Sequence, residues 1–382
     1  MSTDDVRTLL GRIGAAARPA GSAAEADARG VCAGWLRDAG FEVEERTFTY
    51  SALPGMWGAP IAGLVLLVTA LATAAGITRG RESGDRVVGW AVATLVLMAA
   101  AGWWTGRFGT RMLPFVRRDG VNLEARRGVP SVWLVAHLDS KSQPVSLLIR
   151  ASAVVAVCCC WVSFLAGWGL SMVTPVPKGI LLVLVGCGAA ASVPLLLSWV
   201  DTRGHGALDN ASGVASILGA ARLVDLAIPL GVVVTSAEEF GLAGARAWVE
   251  GMPRGVAINC DGVDDQGTLT ITAGRIGRDL WDLPGAAAVF GAEVRIRRSL
   301  PGVLLDSTAF SDRGWAACTI SLGVRGSLRR VHTARDTLAE LSGAGVERVS
   351  NVIASLAGAI IAGGSSPDYL RGGLGSTWNN KD

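Results

Sequence analysis

Four long apolar runs restrict the possible fold more than any other feature of this sequence. Residues 51 to 78 contain no charged residue, and a second uncharged run, Val87–Trp104, follows the short polar loop Arg79–Arg86. The runs Ala151–Leu170 and Gly179–Val200 form another such pair. A helix needs about 20 apolar residues to cross a bilayer. The pairs therefore predict two transmembrane hairpins, and buried core helices are the less favoured alternative.

The composition supports a membrane protein and argues against two other classes. Half of the 382 residues are hydrophobic and only 18% are charged, which is unusually apolar for a soluble enzyme. The net charge is +3, and no basic tract is long enough to indicate a nucleic-acid partner. Seven cysteines without a CxxC pair argue against a disulfide framework. The acidic start of the chain lacks the apolar region of a cleavable signal peptide.

Outside the apolar runs the pattern is that of an α/β protein. A short amphipathic helix, and a second helix opened by the capping box Ser22–Glu25, precede a strand over Phe41–Tyr50, where apolar and polar residues alternate. Further strands are predicted over 121–124, 132–136, 231–236, 256–260 and 269–272, and helices over 210–225 and 346–362.

Two adjacent acids follow the most apolar of these strands. Val232–Thr235 is typical of a buried strand, and Glu238 and Glu239 come after it, before a Gly-rich turn. Neighbouring carboxylates repel each other unless a cation lies between them or one of them is protonated. In open α/β sheets, ligands bind beyond the carboxyl ends of the strands. The sequence therefore predicts a cation site here.

Further acidic and imidazole side chains follow a predicted strand, begin a helix or lie in a loop. They are His137, Asp139, Asp209, Asp261 and His332. Two of the only three histidines of the chain are among them. Taken singly, each has an ordinary structural explanation, such as a helix N-cap for Asp209. Their joint order is much harder to obtain by chance.

In that order the side chains resemble the co-catalytic di-zinc aminopeptidase family of metallopeptidase clan MH, which includes bacterial leucyl aminopeptidases. The pattern reads His–Asp–Glu–Glu–Asp–His, with His-x-Asp at its start and His-Thr-x-x-Asp-Thr at its end. The box Gly206–Gly213 and the stretch Asp306–Gly314 are also similar to the family.

The resemblance implies a three-layer α/β fold, in which a mixed, mostly parallel sheet has helices on both faces. In this chain, four transmembrane helices would interrupt that fold. The peptidase domain would comprise residues 1–50, 107–150 and 201–364, and the hairpins 51–106 and 151–200. Residues 365–382, rich in Gly, Ser and Asn, would form a disordered tail.

The resemblance also implies a set of metal ligands. His137 and Asp261 would bind one zinc ion, Glu239 and His332 would bind the other, and Asp209 would bridge the pair. Imidazole and carboxylate ligands suit Zn²⁺, and closely spaced metal pairs are usual in aminopeptidases. The implied cofactor is therefore two co-catalytic Zn²⁺ ions.

Two further residues receive roles from the resemblance. Glu238 would be the general base that activates water, and Asp139 would hydrogen-bond the far nitrogen of His137 and fix its tautomer. The prediction is a membrane-anchored zinc aminopeptidase that hydrolyses peptides. A carboxypeptidase or other amide hydrolase of the same clan is one alternative, and a non-catalytic membrane scaffold with this fold is another.

Both hairpins interrupt the predicted catalytic domain, and the second separates His137 from Asp209. We therefore expect the site to lie close to the surface of the lipid bilayer. More basic residues flank the catalytic side than lie in the hairpin loops, which favours a cytoplasmic catalytic domain. The flanking residues are Arg107, Arg111, Arg117, Arg118, Lys141, Arg150 and Arg203, and the loop residues are Arg79, Arg81, Arg86 and Lys178.

Overall fold

The computed structural model describes residues 3–273, 294–299, 303–324 and 326–362, so the predicted tail lies outside the described residues. The strands are β1 Glu42–Ser51, β2 Arg117–Arg127, β3 Val132–His137, β4 Leu230–Thr235, β5 Val256–Val263, β6 Thr268–Ala273, β7 Arg295–Arg298 and β8 Ala316–Gly323. The helices are α1 Thr3–Ile13, α2 Ala23–Asp38, α3 Leu53–Arg79, α4 Arg81–Phe108, α5 Leu147–Leu170, α6 Lys178–Leu196, α7 Ser212–Leu223, α8 Ala243–Val249, α9 Asp306–Asp312, α10 Ser327–Arg330 and α11 Ala344–Ala362.

The described strands form one sheet, in the order β1-β2-β4-β3-β5-β8-β6-β7. Its centre is parallel, since β4 pairs with β3, β3 with β5 and β5 with β8 in the same direction. Every residue of β3 and β4 is buried, as expected for apolar strands covered on both faces. Antiparallel pairs extend the sheet on both sides. The carboxyl ends of β3, β4 and β5 therefore meet at one edge.

Helices cover both faces of the sheet and complete three layers. On one face, α1, α2, α7 and α11 pack around a core that includes Leu134 and Ala136 of β3. On the other face, α8 and α9 pack over Trp133 and Val135 of the same strand. Successive residues of a strand point to opposite faces, so β3 contributes to both cores. The predicted fold class is confirmed.

Helices α3 to α6 form a separate bundle with a core of its own. α3 packs against α4 and α6, and α5 packs against α6. Buried side chains of the bundle, such as Leu66 and Trp161, form a cluster distinct from the two cores of the sheet. The outward faces stay exposed, with Leu71 60% and Leu97 70% accessible. Such a large exposed apolar surface is rare in soluble proteins.

Five helices of the described chain are long and apolar enough to cross a membrane, namely α3, α4, α5, α6 and α11. The first four coincide with the apolar runs of the sequence. The fifth, α11, differs from them because Val349, Ile353 and Leu356 are fully buried in the core of the sheet. By its packing, α11 is a helix of the three-layer domain.

Backbone hydrogen bonds close the base of each hairpin. At the base of α3 and α4, the N–H of Ser51 donates to the carbonyl oxygen of Thr110 at 3.2 Å. At the base of α5 and α6, Ser142 and Asp201 exchange two backbone hydrogen bonds of 3.1 and 2.7 Å. The chain therefore leaves and re-enters the three-layer domain at nearly the same place.

The close packing of α3 against α6 can be tested with a larger side chain at the contact. A Cβ atom at Gly63 would lie 2.2 Å from the backbone nitrogen of Leu196, and small residues permit such close approaches between membrane helices. We expect Gly63→Val to lower the free energy of unfolding by roughly 1–3 kcal/mol, the usual cost of overpacking. Unfolding in detergent micelles, followed by circular dichroism, measures this change.

Gly58→Val in the same helix is the matched control. No heavy atom lies within 4 Å of a Cβ built at Gly58, so the same substitution should leave the melting temperature nearly unchanged. An equal loss of stability in both variants would contradict the observed packing of α3 on α6.

Candidate metal centre

Two histidines and three carboxylates converge at the edge of the sheet where β3, β4 and β5 end. His137 is the last residue of β3, and Asp261 lies near the end of β5. Asp209 lies in the helical turn Ala207–Ala211 before α7, and Glu239 lies in the turn Glu238–Phe240 that follows β4. His332 comes two residues after α10.

Asp209 lies between the two histidines. Its Oδ1 is 3.1 Å from Nε2 of His137, and its Oδ2 is 2.9 Å from Nε2 of His332. On the outer sides, Asp261 Oδ1 is 3.8 Å from Nε2 of His137, and Glu239 Oε1 is 2.8 Å from Nε2 of His332. The five residues thus form two groups of three that share Asp209, and the ligand atoms of each group lie within 4.8 Å of one another. The structure brings all five predicted ligands together.

The donor atoms fit metal ions. Each group combines one imidazole nitrogen with two carboxylates, which is a donor set that zinc accepts. Glu239 Oε1 is buried and, despite its proximity to His332, has no hydrogen-bond partner. A buried carboxylate oxygen without a partner is costly, and a cation at this position would satisfy it.

Positive charge keeps the ligand carboxylates of Asp209 and Glu239 ionised, whereas burial raises the pKa of the third, Asp261. Burial opposes the charge on Asp209, but His332 and His137 outweigh it and hold the pKa of Asp209 well below its ordinary value. Burial likewise opposes the charge on Glu239, but His332 and Lys141 lower its pKa to about 2. Asp209 and Glu239 therefore present anionic oxygens that suit a cation.

Glu238 faces the same cavity as the ligands. Burial raises the pKa of Glu238 well above its ordinary value; His137 opposes the shift, and neighbouring carboxylates such as Glu239 add to it. A carboxylate with a raised pKa is suited to accept and release a proton near neutral pH. The position and environment of Glu238 agree with the predicted role of a general base.

Asp139 contacts His137 through a different group from the one predicted from the sequence. Nδ1 of His137 lies 3.0 Å from the backbone carbonyl oxygen of Asp139, whereas the carboxylate is 3.7 Å away. The carboxylate instead accepts the backbone N–H groups of Glu238 and Glu239 at 3.0 and 3.3 Å. The backbone carbonyl of Asp139 thus takes the hydrogen bond that was expected of its carboxylate. A donor at Nδ1 leaves Nε2 of His137 free to bind a metal.

The turn that carries Glu238 and Glu239 is rigidly built. Ala237 has a φ of 56° and lies in the left-handed region, where non-glycine residues are strained and concentrate at functional sites. A Cβ atom at Gly244 would lie 2.2 Å from the carbonyl oxygen of Ser236, so the helix after the turn packs closely against its start. Asn122 accepts the N–H of Ser236 at 3.0 Å and donates to the carbonyl of Gly244 at 2.9 Å.

Asp336 also belongs to the site, although no role was predicted for it from the sequence. Its two carboxylate oxygens accept the backbone N–H groups of Leu208 and Asp209 at 2.6 and 3.0 Å. It therefore holds the turn that presents the shared ligand, from the far side of the site. Its position in the motif that begins at His332 could have indicated this role.

Two basic residues that were predicted only to flank the hairpins also lie at the site. Lys141 Nζ lies 2.6 Å from Glu239 Oε2, and Arg150 Nη2 lies 3.0 Å from His332 Nδ1. No local motif in the sequence marks either residue, because each contact joins segments that are far apart in the chain.

A cavity of about 620 Å³ opens over the ligands and Glu238. Its walls are largely apolar, with Leu304, Leu322 and Val331 among the lining residues, and Leu147 of α5 also contributes. A concave, mostly apolar space with a few convergent polar groups is typical of a small-molecule site. The cavity is large enough for the end of a peptide.

Comparison with known proteins agrees with this site. Residues 179–357 match the family model of Peptidase family M28, and this segment contains Asp209, Glu238, Glu239, Asp261 and His332. A comparison with curated protein sequences found no match.

The fold is similar to that of solved aminopeptidases. An aminopeptidase from Aneurinibacillus sp. strain AM-1 has 14% identity and a TM-score of 0.52, with 93% of each chain covered. A zinc aminopeptidase from Bacillus subtilis has 11% identity and a TM-score of 0.51, with 93% of this chain and 94% of that chain covered. A glutaminyl cyclase from Fimbriiglobus ruber has 13% identity and a TM-score of 0.52, with 94% and 95% covered.

The family match and the fold confirm the resemblance to the co-catalytic zinc aminopeptidase family. The chain is a hydrolase of the metallopeptidase class.

The shared ligand gives a test of the metal centre. We expect Asp209→Asn to weaken zinc binding by more than the roughly 10- to 100-fold that the loss of an outer-shell partner costs. Competition with a chromogenic chelator measures the affinity. Asp201→Asn is the control, because Asp201 pairs with Arg203 and belongs to neither ligand group. Unchanged zinc affinity in Asp209→Asn would exclude it as a ligand.

Proposed function

We propose that this chain is a membrane-anchored zinc exopeptidase that removes N-terminal residues from peptides and uses two zinc ions. The observation that carries the proposal is the Asp209 carboxylate, whose two oxygens face the two ligand groups. Glu238 lies over the same cavity. The coexistence of two complete ligand groups with a candidate base supports an active enzyme over a non-catalytic scaffold.

The protein contributes the proton transfers of the reaction. Bound zinc ions would polarise the scissile carbonyl and lower the pKa of water. Glu238 then accepts a proton from the attacking water and donates it to the leaving amine. Asp139 fixes the backbone at Glu238 and Glu239, so the base keeps its position relative to the ligands. No Ser or Cys nucleophile is required, and hydrolysis is direct.

Membrane anchoring is supported by the bundle of α3 to α6, with its exposed apolar faces and its own core. α5 begins at the edge of the cavity, because Leu147 and Arg150 line it. A bilayer around the bundle would then lie next to the entrance of the site. The basic flanks of the hairpins support a cytoplasmic catalytic domain, and the substrates would be peptides that reach the membrane surface.

The base can be tested in protein purified in detergent. We expect Glu238→Gln to lower kcat/KM for aminoacyl-4-nitroanilides by roughly 10²- to 10⁴-fold, the usual contribution of general-base catalysis, with bound zinc retained. Glu42→Gln, a change of the same type at an exposed residue of β1, should leave the rate unchanged. Full activity in Glu238→Gln would remove this residue from the mechanism.

Anchoring has a separate test. We expect the chain expressed in cells to stay in the membrane pellet after washing with alkaline carbonate, since transmembrane helices resist this extraction and peripheral proteins do not. A tagged soluble protein, expressed in parallel, is the control. Release of the chain into the supernatant would show that the apolar bundle does not span a bilayer.

A further inference from the structure

Arg150 is the only charged residue of α5, an otherwise apolar helix of 24 residues. A charged side chain in such a helix is costly and usually has a function. Arg150 lies one turn from the start of the helix, and its side chain reaches the cavity that holds Glu238 and the ligands. The apolar hairpin therefore delivers a cation to the reaction site.

The guanidinium of Arg150 is incompletely paired. Its Nη2 lies 3.0 Å from Nδ1 of His332, and its Nε is buried without a hydrogen-bond partner. Within the described residues it forms no ion pair, and Glu239, the carboxylate that acts on it electrostatically, is already paired with Lys141. Arg150 thus has hydrogen-bond donors to spare in a cavity that accepts a ligand.

Lys141 places a second cation at the same half of the site. A chain of contacts runs from Arg150 to His332, then to Glu239, and from Glu239 to Lys141. Both basic residues line the cavity. A carboxylate of the substrate would form charge-assisted hydrogen bonds with the guanidinium here.

We propose that Arg150, assisted by Lys141, binds a carboxylate of the substrate, so that the enzyme prefers substrates with an acidic group near the scissile bond. The inference rests on the proposed function, because it concerns the substrate of that same site. The carboxylate has two possible sources, an acidic side chain on the N-terminal residue or the free C-terminus of a short peptide.

Two matched pairs of compounds distinguish the sources. Glutamyl-4-nitroanilide and glutaminyl-4-nitroanilide differ in the charge of the side chain, and leucyl-leucine and leucyl-leucine amide differ in the charge of the C-terminus. We expect the native enzyme to prefer the acidic member of one pair by about 10- to 100-fold in kcat/KM, the usual effect of a hydrogen bond to a charged group. The pair that shows the preference identifies the source.

Substitutions then connect the preference to Arg150. Arg150→Gln should reduce the ratio between the acidic and the neutral compound by at least tenfold, and Arg150→Lys should restore most of it. Arg203→Gln is the control, because Arg203 pairs with Asp201 outside the cavity, and it should leave the ratio unchanged. A purely structural role at His332 would instead lower zinc affinity and affect both compounds equally.

Binding measurements separate this inference from the proposed function. Isothermal titration calorimetry with the four compounds, on zinc-loaded Glu238→Gln with and without Arg150→Gln, requires no turnover. If the native chain hydrolyses nothing but binding shows the Arg150-dependent preference, the exopeptidase proposal fails and the carboxylate site stands. Absence of a preference in both pairs, or a preference that survives Arg150→Gln, would overturn the inference.

Discussion

The structure depends on the concentration of negative charge at the carboxyl edge of its central strands. Buried carboxylates are tolerated only where they are paired or bind metals. Here Asp139 and Asp336 are satisfied by backbone N–H groups, while Asp209 and Glu239 face histidines. Carboxylates thus have two roles here. Asp139 and Asp336 stabilise the turns, and Asp209 and Glu239 are available to bind cations.

The parallel strands determine which parts of the chain meet at this edge. β3, β4 and β5 are adjacent and parallel, so the residues that follow them are brought together although they are far apart in sequence. The second hairpin enters between β3 and the turn at Asp209, and for this reason the first turns of α5 become a wall of the cavity. The helical bundle and the site are therefore joined through Leu147 and Arg150.

Much of this arrangement could be predicted from the sequence, because it follows from local pattern. Short stretches of sequence suffice to predict the buried strands, the apolar runs and the acids after Thr235. The order of His137, Asp209 and His332 along the chain indicated a common site. The atoms that make the contacts could not be predicted. Whether His137 contacts the carbonyl or the carboxylate of Asp139 depends on the backbone conformation after β3, and the contact of Arg150 with His332 depends on the tertiary placement of α5.

The closed bases of the hairpins make it easy for evolution to insert such segments into the three-layer domain. The two ends of each hairpin are held together by the backbone hydrogen bonds of Ser51 and Ser142, so an inserted segment does not displace the neighbouring strands. The entropy cost of closing the loop also grows only slowly with the length of the insertion. The bundle also buries its own core. It nevertheless packs on the three-layer domain at the turn after β4, where a Cβ atom at Gly55 would lie 2.4 Å from Cδ1 of Phe240, and its Leu147 and Arg150 form part of the cavity wall. A lineage can therefore exchange the bundle only together with these contacts.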